Sequence, residues 1–550
     1  MFSASTKHLT IQEAGQIAAV LVRPLPTIQA TAPICTSVNQ RAKESTVASM
    51  NVAFVLPYQN NGLEPLGLLQ ASASLKRAGH QVLAVLPTKR SLARALREWQ
   101  PDILAYSVIT GWHQQYVELN HWARAEIAPG ALSVFGGPHA THFPALIHET
   151  DVDAVCIGEG EIAFVDLLAR LQRGSNHLDT PNWWIKQGGT IYRNPLREPI
   201  RDLDELPFAD RHLLTGQHSY VNLHLRSFMA SRGCVYNCSY CFNHAYRQLY
   251  AQDGYKVGVR RRSVDHLIAE ILSVRESVGM RSVAFFDDVF VTEPEWLDRF
   301  SWEYSRKIGV PFECNLRVEQ ITDQAIVALK RAGCAIIALG IETADEATRA
   351  AVLRRRYSNE QLREASVLVR EQGILLKTYN ILGLPPGDLQ AEWNTVDLNR
   401  SLDVAIPTAS LFQPYPGTDL GEQTRKTGLW EGDIDTIGRG FYATSPLKLE
   451  HRHQIEVLQK LFFIGCKAVV ALPLVRFLVR HADIGLVRWL VFAGDRTANR
   501  VGLFFGRNLA FAEEMRRRLL ARLVQADQTS DGGTIEHAFP DTETNRGKLQ

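Results

Sequence analysis

The chain has 550 residues, which is long enough for two to four domains with separate hydrophobic cores. Hydrophobic residues make up 45% of it and charged residues 21%, as is typical of a soluble globular protein. The formal net charge of +2 gives no general electrostatic reason to bind nucleic acid. The arginine runs at 260–262, 354–356 and 516–518 are therefore explained most simply as solvated faces.

Residues 1–49 show little periodicity and are rich in Ser, Thr, Ala and Gln. We predict that they form a flexible N-terminal extension, or arise from an upstream start site. No compact signal sequence is present, and no segment reaches about 18 uninterrupted apolar residues, the length of a membrane span. The most apolar stretch, 461–479, is interrupted by Lys467, Pro473 and Arg476. We expect a cytoplasmic protein without a transmembrane segment.

Residues 50–175 alternate between apolar runs and helical patterns. This alternation predicts a doubly wound α/β domain with a parallel sheet, in which ligands bind at the carboxyl ends of the strands. Adjacent glycines, as in 136–139, allow a backbone to approach a flat ligand closely. The apolar runs are 51–57, 81–87, 103–108, 132–135 and 154–157, with helical patterns at about 66–78, 90–99 and 112–127.

Residues 176–225 are interpreted as a linker, within which 182–192 predicts a β-hairpin. A second strand–helix pattern covers 226–420. Its six units are too few for an eight-fold barrel but fit a partial (β/α)6 barrel, whose chemistry lies at the strand C-termini. The predicted strands are 226–231, 283–286, 311–316, 335–341, 375–382 and 407–412.

Residues 421–525 predict a C-terminal helical domain. Trp489 and the apolar residues 503–505 are candidates to cover the barrel mouth. The arginine-rich last helix is interpreted as the solvated face of a packed bundle, in preference to a membrane-docking helix. Residues 526–550 are polar and expected to be disordered. The predicted helices are 453–467, 472–481, 486–492 and 509–524.

Three cysteines, Cys234, Cys238 and Cys241, stand at C-x3-C-x2-C spacing in a glycine-led loop after the first barrel strand. Thiolates suit zinc or iron–sulfur clusters, and clustered free thiols indicate a reducing compartment. Three local ligands leave one metal position open. Two alternatives remain: His244 completes a Cys3His zinc site, or the three residues are simply buried thiols.

At this loop the sequence resembles the radical SAM superfamily, whose motif has the same cysteine spacing and an aromatic residue, here Tyr240, before the last cysteine. The resemblance implies a [4Fe–4S] cluster on the three cysteines, with S-adenosylmethionine on the fourth iron and Tyr240 near its adenine. It also implies Glu342 near the ribose or amino end of S-adenosylmethionine and the loop that starts at Gly383 near the adenine. Taken alone, Glu342 and Gly383 are equally well explained as a helix cap and a turn.

Residues 50–175 resemble the cobalamin-binding domain that precedes many radical SAM domains. The resemblance implies cobalamin contacts from residues of the loops after the first, third and fourth strands, namely Asn61, Ser107, Thr110, Gly136 and Gly137. The first loop departs from one family pattern, because Asn60-Asn61-Gly62 stands where an Asp-x-His-x-x-Gly motif would supply a cobalt ligand. No histidine from this loop is therefore expected beneath the cobalt. The alternative is a degenerate flavodoxin-like domain with a structural or docking role.

Together these resemblances imply a cobalamin-dependent radical SAM enzyme that methylates an unactivated carbon or phosphorus centre of a small molecule. They also imply a reducing partner such as flavodoxin or ferredoxin. One alternative is a cyclase that uses the same cofactors without methyl transfer, as in the anaerobic porphyrin cyclases. A tRNA methylthiotransferase needs a second cysteine triplet, whereas only Cys35 and Cys156 precede the loop. A non-catalytic cobalamin or iron–sulfur sensor is the alternative from another class.

Overall fold

The computed structural model describes residues 49–58, 63–149, 151–215, 225–290, 293–438, 440, 442 and 444–501. Several predictions lie outside the described residues. These are the N-terminal extension up to residue 48, Asn61, the apolar residues 503–505, the helix at 509–524 and the tail 526–550.

The first folded part is a seven-stranded sheet with the order β2-β1-β3-β4-β5-β6-β7, in which β1 to β5 are parallel. Helices pack on both faces: Leu68 and Leu167 belong to one apolar layer, and Leu92 and Leu119 to the other. The doubly wound prediction is therefore confirmed. The parallel strands are β1 (Asn51–Val55), β2 (Gln81–Val85), β3 (Ile103–Ser107), β4 (Leu132–Gly136) and β5 (Ala154–Cys156). The helices are α1 (Leu66–Arg77), α2 (Lys89–Glu98), α3 (His113–Glu126), α4 (Gly137–His142) and α5 (Gly160–Gln172).

The hairpin expected within 182–192 is present as β6 (Trp183–Gln187) and β7 (Thr190–Arg193). Its turn contains Gly188 and Gly189 at φ +57° and +80°, a left-handed conformation that glycine adopts without steric cost. Strand β6 pairs antiparallel with β5, so the hairpin extends the first sheet. The indole of Trp183 is fully buried there and donates to the Ala163 carbonyl at 2.9 Å.

The second folded part is a six-stranded parallel half-barrel with the order β15-β14-β13-β12-β11-β8. All six predicted strands are observed, so the partial-barrel prediction is confirmed. A two-stranded ribbon, β9 (Ser231–Arg232) with β10 (Arg260–Arg261), brackets the cysteine loop. The barrel strands are β8 (Leu225–Phe228), β11 (Ser282–Phe285), β12 (Phe312–Leu316), β13 (Cys334–Glu342), β14 (Leu375–Leu382) and β15 (Ile406–Leu411).

The helices of the half-barrel have the caps that their sequences indicate. The side chains of Ser263, Thr322 and Ser358 each accept a hydrogen bond from a backbone N–H of the first turn. The helices are α6 (Phe242–Gln252), α7 (Val264–Ser277), α8 (Pro294–Lys307), α9 (Asp323–Ala332), α10 (Glu346–Ala351), α11 (Asn359–Glu371), α12 (Leu389–Ser401) and α13 (Asp419–Lys426).

Three further helices follow, α14 (Arg452–Lys467), α15 (Leu472–Arg480) and α16 (Gly485–Val501). Helix α14 packs beside β15 and α12, and α15 and α16 pack on α14. Their apolar side chains join a core cluster that includes Leu411, Leu458 and Phe462. The predicted end of the last of these helices at residue 492 is wrong, because α16 continues through Gly494 to Val501. Among the described residues no helix is long and apolar enough to cross a membrane.

Candidate active site

A cavity of about 1020 Å³ lies between the carboxyl edge of the first sheet and the cysteine loop of the half-barrel. Ser107, Gly136 and Gly137 border it from the first sheet, and Tyr240 and Cys241 border it from the loop. Five of the residues singled out by the sequence thus line one space. The three from the first sheet and the two from the cysteine loop are more than a hundred positions apart in the chain. Its wall is mostly apolar, which is typical of ligand sites.

The cysteine loop is held by backbone contacts that leave its thiols free. Gly233 has φ +93°, and a Cβ there would approach the Gly258 carbonyl to 2.9 Å, so only glycine fits at the start of the loop. Arg247 donates to the carbonyls of Cys234 and, at 2.8 Å, of Tyr236. Cys234 and Cys241 are partly buried and Cys238 is buried, and none of them forms a disulfide.

Positive charge and N–H donors surround the thiols. Arg317 donates to Cys238 Sγ at 3.2 Å, and its guanidinium lies 3.6 Å from the centre of the Tyr236 ring. Asn243 Nδ2 contacts Cys241 Sγ at 3.8 Å, and Cys241 is the N-cap residue of α6, where the helix dipole favours negative charge. Burial nevertheless raises the pKa of Cys241 to about 11. A metal ion at this position would supply the charge that keeps the thiol deprotonated.

The zinc alternative finds no support in the position of His244. Its Nε2 lies 3.3 Å from Asp419 Oδ2 and 3.2 Å from Gln248 Nε2, so this nitrogen is engaged away from the cysteines. A zinc ion needs four ligands at about 2.0–2.3 Å. Within the described ranges, no three His, Cys, Asp or Glu side chains are grouped to hold a single metal ion.

Tyr240 and Glu342 are brought together by the fold. The Tyr240 hydroxyl donates to Glu342 Oε1 at 2.9 Å, and Arg355 Nη1 contacts the same oxygen at 2.6 Å. Glu342 ends β13 with φ +66°, a conformation that costs a non-glycine residue about 1–3 kcal/mol and is frequent at functional sites. The three side chains thus form a buried polar group directly behind the cavity wall.

Gly383 follows β14 and lies at φ +75°. Its N–H donates to Glu392 Oε1 at 2.7 Å, and burial raises the pKa of this carboxyl to about 8. A Cβ at Gly387, at the other end of the loop, would approach Leu449 to 2.9 Å, so the loop packs closely against the segment before α14. Neither Gly383 nor Glu342 is part of the cavity wall.

On the first sheet, Gly137 has φ +89° and packs against the backbone of the third-strand loop, where a Cβ would lie 2.9 Å from Val108 N. Thr110 is buried and its hydroxyl lies 3.1 Å from His139 Nδ1. Burial and the neighbouring His113 and His142 lower the pKa of His139 to about 3, so this ring is neutral. Thr110 therefore supports the loop from within, and Ser107 faces the cavity.

Ion pairs connect the two folded parts on either side of the cavity. Glu159, after β5, contacts Arg232 at 3.1 Å and Arg260 at 2.9 Å, and Glu161 contacts Arg232 at 2.6 Å. Arg232 directly precedes the cysteine loop. Elsewhere the fully buried Glu64 side chain accepts from the Ser227 N–H at 2.9 Å.

The interpretation of the arginine runs as solvated faces is wrong for 260–262 and for Arg355, whereas Arg354 and Arg356 are exposed as predicted. Arg260 and Arg262 pair with Glu159 and Glu270 at the domain junction. Arg355 is 5% exposed and contacts Glu342. Consecutive charges look alike in sequence whether they face solvent or a buried carboxylate, because the partner is distant in the chain.

Other residues of the site carried little sequence signal. Arg317 directly follows β12. Its position at the end of a barrel strand is the only sequence feature that indicates a role in the site. Asp288 faces the cavity; although it is exposed there, the surrounding protein raises its pKa, and Asn243 donates to it. Glu64 lies before α1, where no pattern marks a buried acid.

Family models match both folded parts of the chain. The B12 binding domain matches residues 60–168, and the radical SAM superfamily matches residues 229–398. A half-barrel that carries three cysteines after its first strand, joined to a B12-binding sheet, defines a radical SAM enzyme with a cobalamin domain. The chain belongs to this cobalamin-binding group of the radical SAM superfamily and is of the methyltransferase-like type. Its cofactors are a [4Fe–4S] cluster, S-adenosylmethionine and cobalamin.

Relatives and solved structures agree with this assignment. An uncharacterized methyltransferase of Pyrococcus horikoshii is 26% identical over 392 residues, 68% of this chain and 83% of that protein. The anaerobic magnesium-protoporphyrin IX monomethyl ester cyclase of Rubrivivax gelatinosus is 24% identical over 397 residues, 68% of this chain and 70% of its own length. The radical SAM methyltransferase TsrM of Kitasatospora setae, solved with cobalamin and a [4Fe–4S] cluster, shares the fold with a TM-score of 0.58. It is 18% identical, and the match covers 69% of this chain and 78% of TsrM.

The residues present fit these cofactors. The free thiols meet N–H donors from Arg317 and Asn243, as cluster sulfurs do. On the facing side, Gly136 and Gly137 leave the sheet edge without side chains, which suits a flat macrocycle. The cavity between them borders both sites.

Proposed function

We propose that this enzyme transfers a methyl group to an unactivated carbon or phosphorus centre of a small-molecule substrate. The observation that carries the proposal is the single cavity, which borders the cysteine loop and the carboxyl edge of the first sheet at once. When bound, the cluster and S-adenosylmethionine supply a hydrogen-abstracting radical, and methylcobalamin supplies the methyl group. A substrate in this cavity would be within reach of both.

The proposed roles of the residues come from the family resemblance, and the positions of Ser107, Gly136, Gly137, Tyr240 and Cys241 on the cavity wall support them. Cys234, Cys238 and Cys241 hold the cluster, and Tyr240, Glu342 and the loop at Gly383 bind S-adenosylmethionine. Cobalamin would rest on the first sheet, at Ser107, Gly136 and Gly137 of the cavity wall. The same proposal includes Asn61, which lies outside the described residues, and Thr110, which would support the loop rather than contact the cofactor. The same proposal includes the domain limits 226–420 and 421–525. The limit of 175 expected for the first domain falls short of β6 and β7, which belong to its sheet.

The cavity wall contributes exclusion of water. His142 stacks on Phe242 with 4.2 Å between ring centres, and Phe242 lies 5.0 Å from Tyr415. These rings close one side of the cavity beside Cys241. A site that generates a carbon radical needs such a wall, because it prevents side reactions.

A reducing partner of the flavodoxin or ferredoxin type is part of the proposal, since the cluster needs an electron for each turnover. So is a cytoplasmic location, where free thiols persist.

A cyclase is the second candidate. The protein from Rubrivivax gelatinosus bears that name. It is 24% identical to this chain, against 26% for the uncharacterized methyltransferase of Pyrococcus horikoshii. Both reactions would use the same cavity and the same cofactors, so the arrangement of the site does not separate them.

The ratio of two products tests the proposal. Reconstituted enzyme would be incubated anaerobically with reductant, methylcobalamin, candidate substrates and methyl-labelled S-adenosylmethionine. Methyl transfer to an unactivated centre should give one 5′-deoxyadenosine and one S-adenosylhomocysteine per turnover, with the label in the product. A cyclase should form 5′-deoxyadenosine without stoichiometric S-adenosylhomocysteine, and that result would reject methyl transfer.

A further inference from the structure

The outer surface of α15 and α16 is unusually apolar. Among the described residues, seventeen large apolar side chains are exposed, and eight of them lie between residues 469 and 490. Val470 is 94% exposed and Trp489 is 60% exposed. We call this the α15–α16 surface; its apolar members are Val469, Val470, Leu474, Phe477, Ile484, Leu486, Trp489 and Leu490.

These side chains recur at helical spacing. Val470, Leu474 and Phe477 are four and three residues apart, so they form one stripe along α15. Leu486, Trp489 and Leu490 do the same along α16. Each helix buries a different stripe against α14, through Val475 and Val479 on α15 and Val491 on α16. Both helices are thus apolar on two faces, and no described residue covers the outer one.

The surface is also positively charged. Residues 469–490, which contain all eight apolar members of the surface, carry three Arg and one Asp, a net charge of +2. Arg476 and Arg480 flank Phe477 and both are exposed. The guanidinium of Arg476 also stacks on the ring of Trp393 of α12, 4.6 Å from its centre. The acid, Asp483, is already engaged by His453 at 3.0 Å. Exposed Trp, Phe and Leu beside arginines are typical of helices that lie in a membrane interface.

Charge also argues against two other occupants. A second copy of this surface would bring two patches of +2 together, which like-charge repulsion disfavours. Residues 502–524 of the chain itself carry five Arg against two Glu, so they have the same sign. Residues 525–550 carry five acidic against two basic residues and have the opposite sign, so they are tested below as an alternative occupant. An anionic lipid headgroup layer has the opposite sign and an apolar layer beneath it.

We propose that the α15–α16 surface docks on the surface of an anionic lipid bilayer, with the apolar stripes in the headgroup boundary and Arg476 and Arg480 among the headgroups. This inference is independent of the reaction proposed above. The docking surface is joined to the cofactor sites through α14, because Ile455 of α14 lies 3.6 Å from the position of a Cβ on Gly383.

Vesicle sedimentation of the full-length holoenzyme tests the inference. The vesicles would be pure phosphatidylcholine, or phosphatidylcholine with phosphatidylglycerol as about one third of the lipid. We expect the enzyme to pellet with the anionic vesicles and to be released by high salt, since screening weakens attraction to the headgroups. The Phe477→Glu/Trp489→Glu variant should lose binding by at least about tenfold. The Arg476→Gln/Arg480→Gln variant should lose most of the preference for anionic vesicles.

The matched control is Trp302→Glu on α8, which replaces another exposed tryptophan, 54% exposed, outside the surface. It should bind like the wild type, and all variants should keep wild-type iron content, which separates lost docking from misfolding. Wild-type enzyme that stays in the supernatant overturns the inference. So does a dimer that Phe477→Glu/Trp489→Glu converts to monomers, since a second copy then covers the surface. A photo-crosslinker at position 477 that reacts with residues 502–550 in the absence of vesicles would identify another segment of the chain as the occupant and would also overturn it.

Discussion

Among the described residues, Tyr240 is the member of the cavity wall whose side chain contacts Glu342, through its hydroxyl. Tyr240→Phe removes this hydrogen bond and keeps the ring. We expect affinity for S-adenosylmethionine to fall by about two- to tenfold, the usual effect of one hydrogen bond, with iron content unchanged. Equilibrium binding to the reconstituted enzyme measures it. Tyr357→Phe is the control, because its hydroxyl bonds Gly340 O on the same strand, away from the cavity. Equal loss in both variants would contradict a role for Tyr240 in binding.

Arg317 places a positive charge 3.2 Å from Cys238 Sγ. Hydrogen bonds and positive charge near cluster sulfurs stabilise the reduced state, so Arg317→Gln should lower the reduction potential of the cluster by tens of millivolts. Redox titration followed by electron paramagnetic resonance measures the shift. Arg331→Gln is the control, since Arg331 pairs with Asp298 on the outer helices. A wild-type potential in Arg317→Gln, at full iron content, would contradict this role.

At this scale the sequence predicts ligands better than their supports. The spacing of Cys234, Cys238 and Cys241 and the aromatic residue before the last of them are local patterns. Arg317 and Arg355 act on partners 79 and 13 residues away, Cys238 and Glu342. Such pairs depend on strand register, which no local pattern contains.

Most strands and helices can be predicted from local periodicity in the sequence. The elements with which they pair or pack cannot. The six barrel strands are apolar runs bounded by turns, so the sequence locates each of them within a few residues. The hairpin of β6 and β7 is also recognisable from its Gly188-Gly189 turn. Its antiparallel pairing with β5 cannot be predicted from the sequence, because any open sheet edge offers the same backbone N–H and C=O groups.

The loop after β14 contacts a buried carboxyl on α12, because the Gly383 N–H donates to Glu392. Burial raises the pKa of Glu392 to about 8 from an ordinary 4.5, so the folded chain keeps this proton while the unfolded chain loses it. Stability contributed at this site is therefore present below about pH 4.5 and falls as the pH rises to about 8, by at most about 5 kcal/mol.

Glu392→Gln mimics the protonated carboxyl and can still accept from Gly383 N–H. We expect it to melt at a temperature similar to the wild type near pH 5 and at a higher temperature near pH 8, as measured by circular dichroism. Glu360→Gln, on an exposed part of α11, should show no such pH dependence. A difference between Glu392→Gln and the wild type that is the same at both pH values would contradict the raised pKa.

At the scale of the whole molecule, two cofactor sites on separate sheets must be held at a fixed distance from each other. The loop after β5 and the loop of the cysteines meet through Arg232, which contacts Glu159 and Glu161 at 3.1 and 2.6 Å. Only one residue, Gly233, separates Arg232 from Cys234. The ion pairs thus connect the first sheet to a residue that stands two positions before the first cysteine of the loop.

Arg232→Gln should therefore uncouple the two sites without emptying either. Iron content and cobalamin binding should remain near wild-type levels, because neither set of ligands changes. Formation of 5′-deoxyadenosine should continue, whereas methylated product per 5′-deoxyadenosine should fall by as much as about a hundredfold, since small misplacements of reacting groups have effects of that size. Arg193→Gln is the control: Arg193 lies exposed on β7 and stacks on Trp184 at 4.6 Å, at the far edge of the same sheet. Mass spectrometry of both products gives the ratio. An unchanged ratio in Arg232→Gln would show that these ion pairs do not set the distance between the two cofactors.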